Sequence, residues 1–95
     1  MASTLYKTDG RTQEMRPSGL HWSLEELQGI VGGYIEVVNT LDGRFMVIND
    51  MGKFNGSELN IPATRLYRFG RTDVIMGDAL VVDTVLELDG PQEAE

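Results

Sequence analysis

The sequence contains no cysteine and only one histidine. Without thiols there is no disulfide framework, no thiolate zinc or iron–sulfur site and no cysteine nucleophile. With a single imidazole, a protein-only transition-metal centre lacks its usual ligands, so neither metal nor cofactor is expected. Long apolar runs are missing as well. No segment approaches the roughly 20 residues that span a bilayer, and Met1 to Thr12 is polar and lacks the apolar stretch of a signal peptide. A cytoplasmic, membrane-free setting is the expectation. Basic residues are outnumbered, 8 against 15 acidic ones, for a formal net charge of −7. That balance disfavours general affinity for nucleic acid or anionic membrane.

What is present is enough for one core. Ninety-five residues with 41% apolar content describe a single compact domain, residues 1–90, with an acidic tail, 91–95, expected to be disordered. A chain this short has a thin stability margin, which favours a homo-oligomer. The charge is unevenly spread. Residues 1–43 carry 3 basic and 6 acidic groups, residues 44–71 carry 5 and 2, and residues 72–95 carry none and 7. An acidic protein thus contains one basic segment.

Local signals place the elements. Asp9-Gly10 suits the positive φ values of a tight hairpin turn between Leu5-Tyr6-Lys7 and Gln13-Glu14-Met15, a weakly apolar edge hairpin. Ser23, with Glu26 three residues on, makes a capping box, and Trp22 with Leu27 can close a hydrophobic staple. Leu24, Leu27, Ile30 and Val31 then share a stripe, and Gly32-Gly33 stops the helix. Residues 34–39 and 44–49 flank Leu41-Asp42-Gly43 and predict a second hairpin. Its strands carry apolar residues on both faces, which predicts central strands covered on each side by helices, a curled sheet or another subunit. Lys53-Phe54 reads as a short extended piece. Asn60, ahead of Ile61-Pro62, is a helix start with Ala63, Leu66 and Tyr67 inward, Thr64, Arg65 and Arg68 outward, and Gly70 as the stop. Val74 to Leu88 is β-prone, bent at Gly77-Asp78. The expected fold class is α+β: a curled, mainly antiparallel sheet or partial barrel with two short helices, both on one side.

The runs Leu24-Glu25-Glu26-Leu27-Gln28, Val31-Gly32-Gly33-Tyr34-Ile35-Glu36 and Val47-Ile48-Asn49-Asp50-Met51-Gly52-Lys53, with Asn60, Ala63-Thr64 and Ile75-Met76-Gly77-Asp78, make the chain resemble a known family over about residues 20–85. It is the family of small domains of unknown function numbered 3846, carried by phages and conjugative elements. The resemblance implies genomic company more than chemistry: an accessory protein of a mobile element, where inhibitors of host defence are common, working in the host cytoplasm if phage-encoded. Small phage proteins that act as oligomeric sponges for nucleotide immune signals are an analogy of context.

Catalysis is not expected. His21 sits beside Trp22 just before a helix cap, in a packing, surface or ligand-contact role, and no Ser or Thr lies in a nucleophile-elbow pattern. Glu25 and Glu26 suit the capping box and the helix dipole. Gly32-Gly33 ends a helix and enters a strand, the reverse of a dinucleotide fingerprint. Glu36 differs, because a carboxylate inside an apolar strand must be paired, solvated at an edge or used on a ligand. Asn49 and Asp50 are turn residues or functional ones. Within the basic segment Lys53, Asn60, Thr64, Arg65, Arg68 and Arg71 can gather around phosphates, with Tyr34, Tyr67 or Trp22 stacking a base. The alternative is that these arginines pair with the acidic end of the chain. The expectation is therefore a non-catalytic, homo-oligomeric protein that sequesters a small anionic ligand of cyclic-nucleotide or ADP-ribose type through Tyr34, Glu36, Lys53, Asn60, Thr64, Arg65, Tyr67 and Arg68. A second class is an acidic, nucleic-acid-mimicking inhibitor or adaptor directed at a basic host protein. An enzyme built on Glu36 with Asp50 or Asp78 ranks third.

Overall fold

Two Asp-Gly turns fold the chain into hairpins. Gly10 and Gly43 take φ of 92° and 86°, values open to glycine because it has no Cβ to clash. A computed structural model describes residues 3–84 and 88. The first hairpin pairs β1, Ser3–Tyr6, with β2, Thr12–Met15, and the second pairs β3, Ile35–Asn39, with β4, Phe45–Asn49. Between the hairpins lies α1, Leu24–Val31; after them come α2, Ile61–Leu66, and β5, Ala79–Val82. The strand β5 inserts between β1 and β4, so the antiparallel, open sheet runs β2-β1-β5-β4-β3.

The α+β class and the curled antiparallel sheet hold, with three differences in detail. The helices cover opposite faces. Val47, Leu80 and Val82 pack with Trp22 and Leu27 on the α1 face, whereas Met46, Val81 and Ala79 pack with Ala63 and Ile75 on the α2 face. Alternation along β4 and β5 therefore feeds two cores, which explains their apolar residues on both sides. The second difference is that β3 is an edge strand. Ile35 and Val37 pack toward α1, and Val38 packs toward α2. The end of α2 and the residues after it cap half of its open edge: Leu41 N–H donates to Leu66 O at 2.8 Å and Arg68 N–H to Asn39 O at 3.0 Å, around an antiparallel bridge between Thr40 and Tyr67. The third is that Lys53-Phe54 is not extended. Successive turns, with Gly52 N–H on Asn49 O and Phe54 N–H on Met51 O, coil this segment. Of the β-prone stretch from Val74 to Leu88, Ala79–Val82 form β5, behind a bend at Gly77 with φ 89°, and residues 85–87 lie outside the described residues. The expected tail, 91–95, lies outside the described residues.

Helix starts follow their caps. Glu26 N–H donates to Ser23 Oγ at 3.1 Å and Ser23 N–H to Glu26 Oε1 at 3.0 Å, closing the capping box, and Ser18 N–H adds a bond to Glu26 Oε2. These backbone donors, Ser23 first and then Ser18, hold the Glu26 carboxyl below its usual range. Trp22 and Leu27 are both buried in one cluster, and the indole N–H donates to Ser3 Oγ at 3.1 Å. Leu24, by contrast, is half exposed and leaves the stripe. Asn60 caps α2 by accepting from Ala63 N–H at 3.0 Å. That helix stops at Leu66 with Tyr67 extended, ahead of Gly70. Gly70 serves a close approach instead: a Cβ there would lie 1.9 Å from Thr64 O.

Candidate functional site

The α2 face of the sheet is only partly covered. Beyond α2, the β3–β4 hairpin presents Val38 and Ile48 as the floor of a cleft of about 260 Å³. Tyr67, Val74 and Ile75 wall it, and Glu36, Asp50, Lys53, Phe54 and Asp73 stand around it. Two loops make the far side. Met51 N–H donates to Asn49 Oδ1 at 2.8 Å and Asn49 Nδ2 donates to Val31 O at 3.1 Å, which anchors the loop leaving β4. That loop touches the one before β5 at Gly52, where a Cβ would stand 2.6 Å from Met76 O. Only glycine permits this approach.

Charge in the cleft is unbalanced. Lys53 Nζ is hydrogen-bonded to Asp73 Oδ1 in an ion pair, and Asp73 also accepts from Val74 N–H at 2.8 Å. The pair raises the Lys53 ammonium above its ordinary range and lowers the Asp73 carboxyl below its own. Both partners are partly exposed, so the pair contributes little to stability. Glu36 and Asp50 add two more carboxylates. Among the described residues Glu36 makes no side-chain hydrogen bond or ion pair. Burial, then Asp73 and Glu36, push the Tyr67 phenol above its usual value, with Lys53 opposing. The cleft thus combines an apolar floor, a protonated phenol, one ammonium already bonded to a carboxylate, and two further carboxylates. Among the described residues no three His, Asp or Glu side chains converge to hold a metal ion.

The sequence matches the model of a domain of unknown function, DUF3846, over residues 4–89. The chain belongs to the DUF3846 family. No curated protein and no solved structure matches it. The matched span contains every residue of the cleft, so the cleft belongs to the DUF3846 domain itself. No helix among its described residues is long and apolar enough to cross a membrane.

Of the residues singled out in the DUF3846 sequence, Glu36, Asn49, Asp50, Lys53 and Tyr67 come together in the cleft. Asn60 and Thr64 do not reach it. Asn60 is fully buried, its Nδ2 donating to Tyr6 O and Gly77 O at 2.8 Å each. Thr64 Oγ1 donates to Asn60 O at 2.7 Å and accepts from Ile75 N–H at 2.9 Å. Tyr34 is 75% exposed just before β3, its carbonyl accepting from Asp50 N–H. Arg65 and Arg68 are exposed and do not line the cleft. The Arg68 guanidinium lies 5.3 Å over the Phe69 ring, which meets Tyr67 edge-on at 5.8 Å. Neither these arginines nor Arg71 has a carboxylate within ion-pair distance among the described residues. Asp78, outside the cleft, accepts from Thr8 N–H at 3.1 Å. His21 is exposed. Sequence reasoning missed Asp73 and the floor. The available signal is Asp73 itself, the first carboxylate after the arginine run.

Proposed function

We propose that this DUF3846 protein is a non-catalytic binding protein whose cleft receives a positively charged group of a partner, making it an acidic, protein-directed adaptor or inhibitor. The observation that carries this reading is the charge of the cleft: three carboxylates around an apolar floor, with the single ammonium bonded to one of them. Such a site attracts an ammonium or guanidinium on an apolar stem and repels phosphate. Its shifted groups also favour binding over proton transfer. Lys53 and Tyr67 are held protonated and Asp73 ionised, each moved away from neutrality rather than toward it. The net charge of −7 extends the same preference over the molecule. The family resemblance alone supplies a setting, that of a mobile-element accessory protein acting on a basic host protein.

Capture of a small anionic ligand of nucleotide type is a second reading. It is favoured by Arg65, Arg68 and Arg71, which meet no carboxylate among the described residues and face outward. A thermal-shift panel separates the two. Agmatine and arginine-containing peptides should raise Tm, the effect should fade as salt rises, and Glu36→Gln with Asp73→Asn should abolish it. A response to cyclic dinucleotides or ADP-ribose that survives those substitutions and disappears in Arg65→Glu with Arg68→Glu would replace the first reading with the second. Mass determination in solution establishes whether either form is a homo-oligomer.

A further inference from the structure

The edge strand β3 borders the cleft, and its open side is short and well defined. In the ladder with β4, Tyr34 O accepts from Asp50 N–H and Thr40 N–H donates to Arg44 O, so even-numbered residues of β3 bond inward. Odd-numbered ones therefore turn their N–H and C=O groups away from the sheet. Asn39 O is capped by Arg68 N–H, and Gly33 N–H is taken by Gln28 O. Among the described residues that leaves Ile35 and Val37 with free donors and acceptors on both. Between them sits Glu36, exposed and lining the cleft.

We propose that this slot takes an added strand: an extended segment of a partner protein, three residues long at its centre, in the pattern apolar, basic, apolar. The proposal rests on the cation preference of the cleft argued above, and assigns the backbone element that delivers the cation. The two apolar residues would exchange four main-chain hydrogen bonds with Ile35 and Val37. The basic residue would stand opposite Glu36 in a narrow, non-hydrogen-bonded pair, with its side chain on the cleft face. There it meets Glu36 directly.

Charge complementarity selects this occupant over a second copy. The cap on Asn39 forbids a two-fold pairing centred on Val37, because Ile35 would then need the Asn39 carbonyl that Arg68 occupies. The remaining two-fold register centres on Glu36 and sets it directly against Glu36 of the second chain, a like-charge opposition that destabilises the pair. An arginine or lysine in the same place reverses the sign.

The test uses the full chain, 15N-labelled, titrated with the acetylated and amidated peptide Thr-Val-Arg-Val-Thr. The expected result is a shift of the Ile35 and Val37 amides, about fivefold weaker binding to Glu36→Gln, and a preference of Glu36→Lys for Thr-Val-Glu-Val-Thr. N-methylation of both valines, which deletes the donors facing β3, should weaken binding at least tenfold. If agmatine binds as tightly as the peptide and N-methylation changes nothing, the strand slot is overturned while the cation-binding cleft stands. If neither agmatine nor the peptide binds, both fall. If Glu36→Gln instead self-associates through residues 35–37 and ignores the peptide, a second copy is the occupant and the proposal is overturned.

Discussion

Asn60 joins three parts of the fold through one side chain, and its removal has a calculable cost. Its Oδ1 caps α2 at Ala63 N–H, while Nδ2 bridges Tyr6 O at the end of β1 and Gly77 O at the bend before β5. The residue is 0% exposed, so water does not replace these bonds without a rearrangement. Asn60→Ala loses a helix cap, about 1 kcal/mol, and orphans two carbonyls at about 1–2 kcal/mol each. The expected loss is about 3–5 kcal/mol, a large share of the roughly 5–15 kcal/mol that holds a small domain together. It corresponds to a fall in Tm of about 15–30 °C. Asn60→Asp separates the two roles. It keeps the cap acceptor but turns the other carboxylate oxygen toward two carbonyls, raising the folded-state pKa above the unfolded value. Its stability should therefore fall as pH rises through that folded value and recover on acidification. Urea unfolding followed by the fluorescence of Trp22, the sole tryptophan and 2% exposed, reads both variants. An Asn60→Ala loss below about 1 kcal/mol, or an Asn60→Asp protein as stable as wild type at neutral pH, would refute the reasoning.

Gly70→Ala should destabilise by about 2–3 kcal/mol, since its Cβ would sit 1.9 Å from Thr64 O, whereas Gly19→Ala, with nothing within 4 Å, should stay within about 0.5 kcal/mol in the same assay. Ser23→Ala should cost about 1 kcal/mol by orphaning Glu26 N–H, read by the urea midpoint at unchanged slope. Asp42, whose pKa is lowered to about 2 by hydrogen bonds from Arg44 and then Thr40, contributes stability above about pH 4 that is lost as pH falls through about 2. Asp42→Asn should flatten that acid limb in Tm measured against pH, and an unchanged limb would remove Asp42 as its source. In the cleft, Glu36→Gln with Asp73→Asn should bring the Tyr67 phenol back down toward its ordinary range in an ultraviolet titration, because two of the groups raising it are gone.

Sequence legibility follows the reach of each interaction. The Asp-Gly turns, the Ser23–Glu26 box and the Asn60 cap span four residues or fewer, and each stands where the sequence pattern places it. Strand order was not legible, because β5 pairs Leu80 with Leu5 and with Val47, contacts set by burial across the whole chain. A mark of centrality was present in the unbroken apolar run Ala79-Leu80-Val81-Val82. The two-sided apolar pattern of β3 reads as the same mark, yet β3 lies at the sheet edge, only half of it capped by the chain leaving α2. The cleft divides in the same way. Glu36 stands out as a carboxylate in an apolar strand, but the pairing of Lys53 with Asp73 depends on two loops meeting at Gly52 and Met76. Asn60 and Thr64 look like surface residues in sequence because buried partners of theirs, Tyr6 O and Gly77 O for Asn60 and Ile75 N–H for Thr64, are remote.

The insertion of β5 between two hairpins made earlier in the chain dictates an order of assembly. Each hairpin closes locally and fast, yet neither has a neighbour to complete its inner side until Ala79–Val82 arrives. During that interval β1 and β4 both offer naked ladders, the condition under which nascent chains stick to one another. A truncation ahead of Ala79 therefore leaves the two hairpins without the strand that joins them into one sheet. The yield of native protein should depend more on the rate at which β5 docks than on the strength of either hairpin.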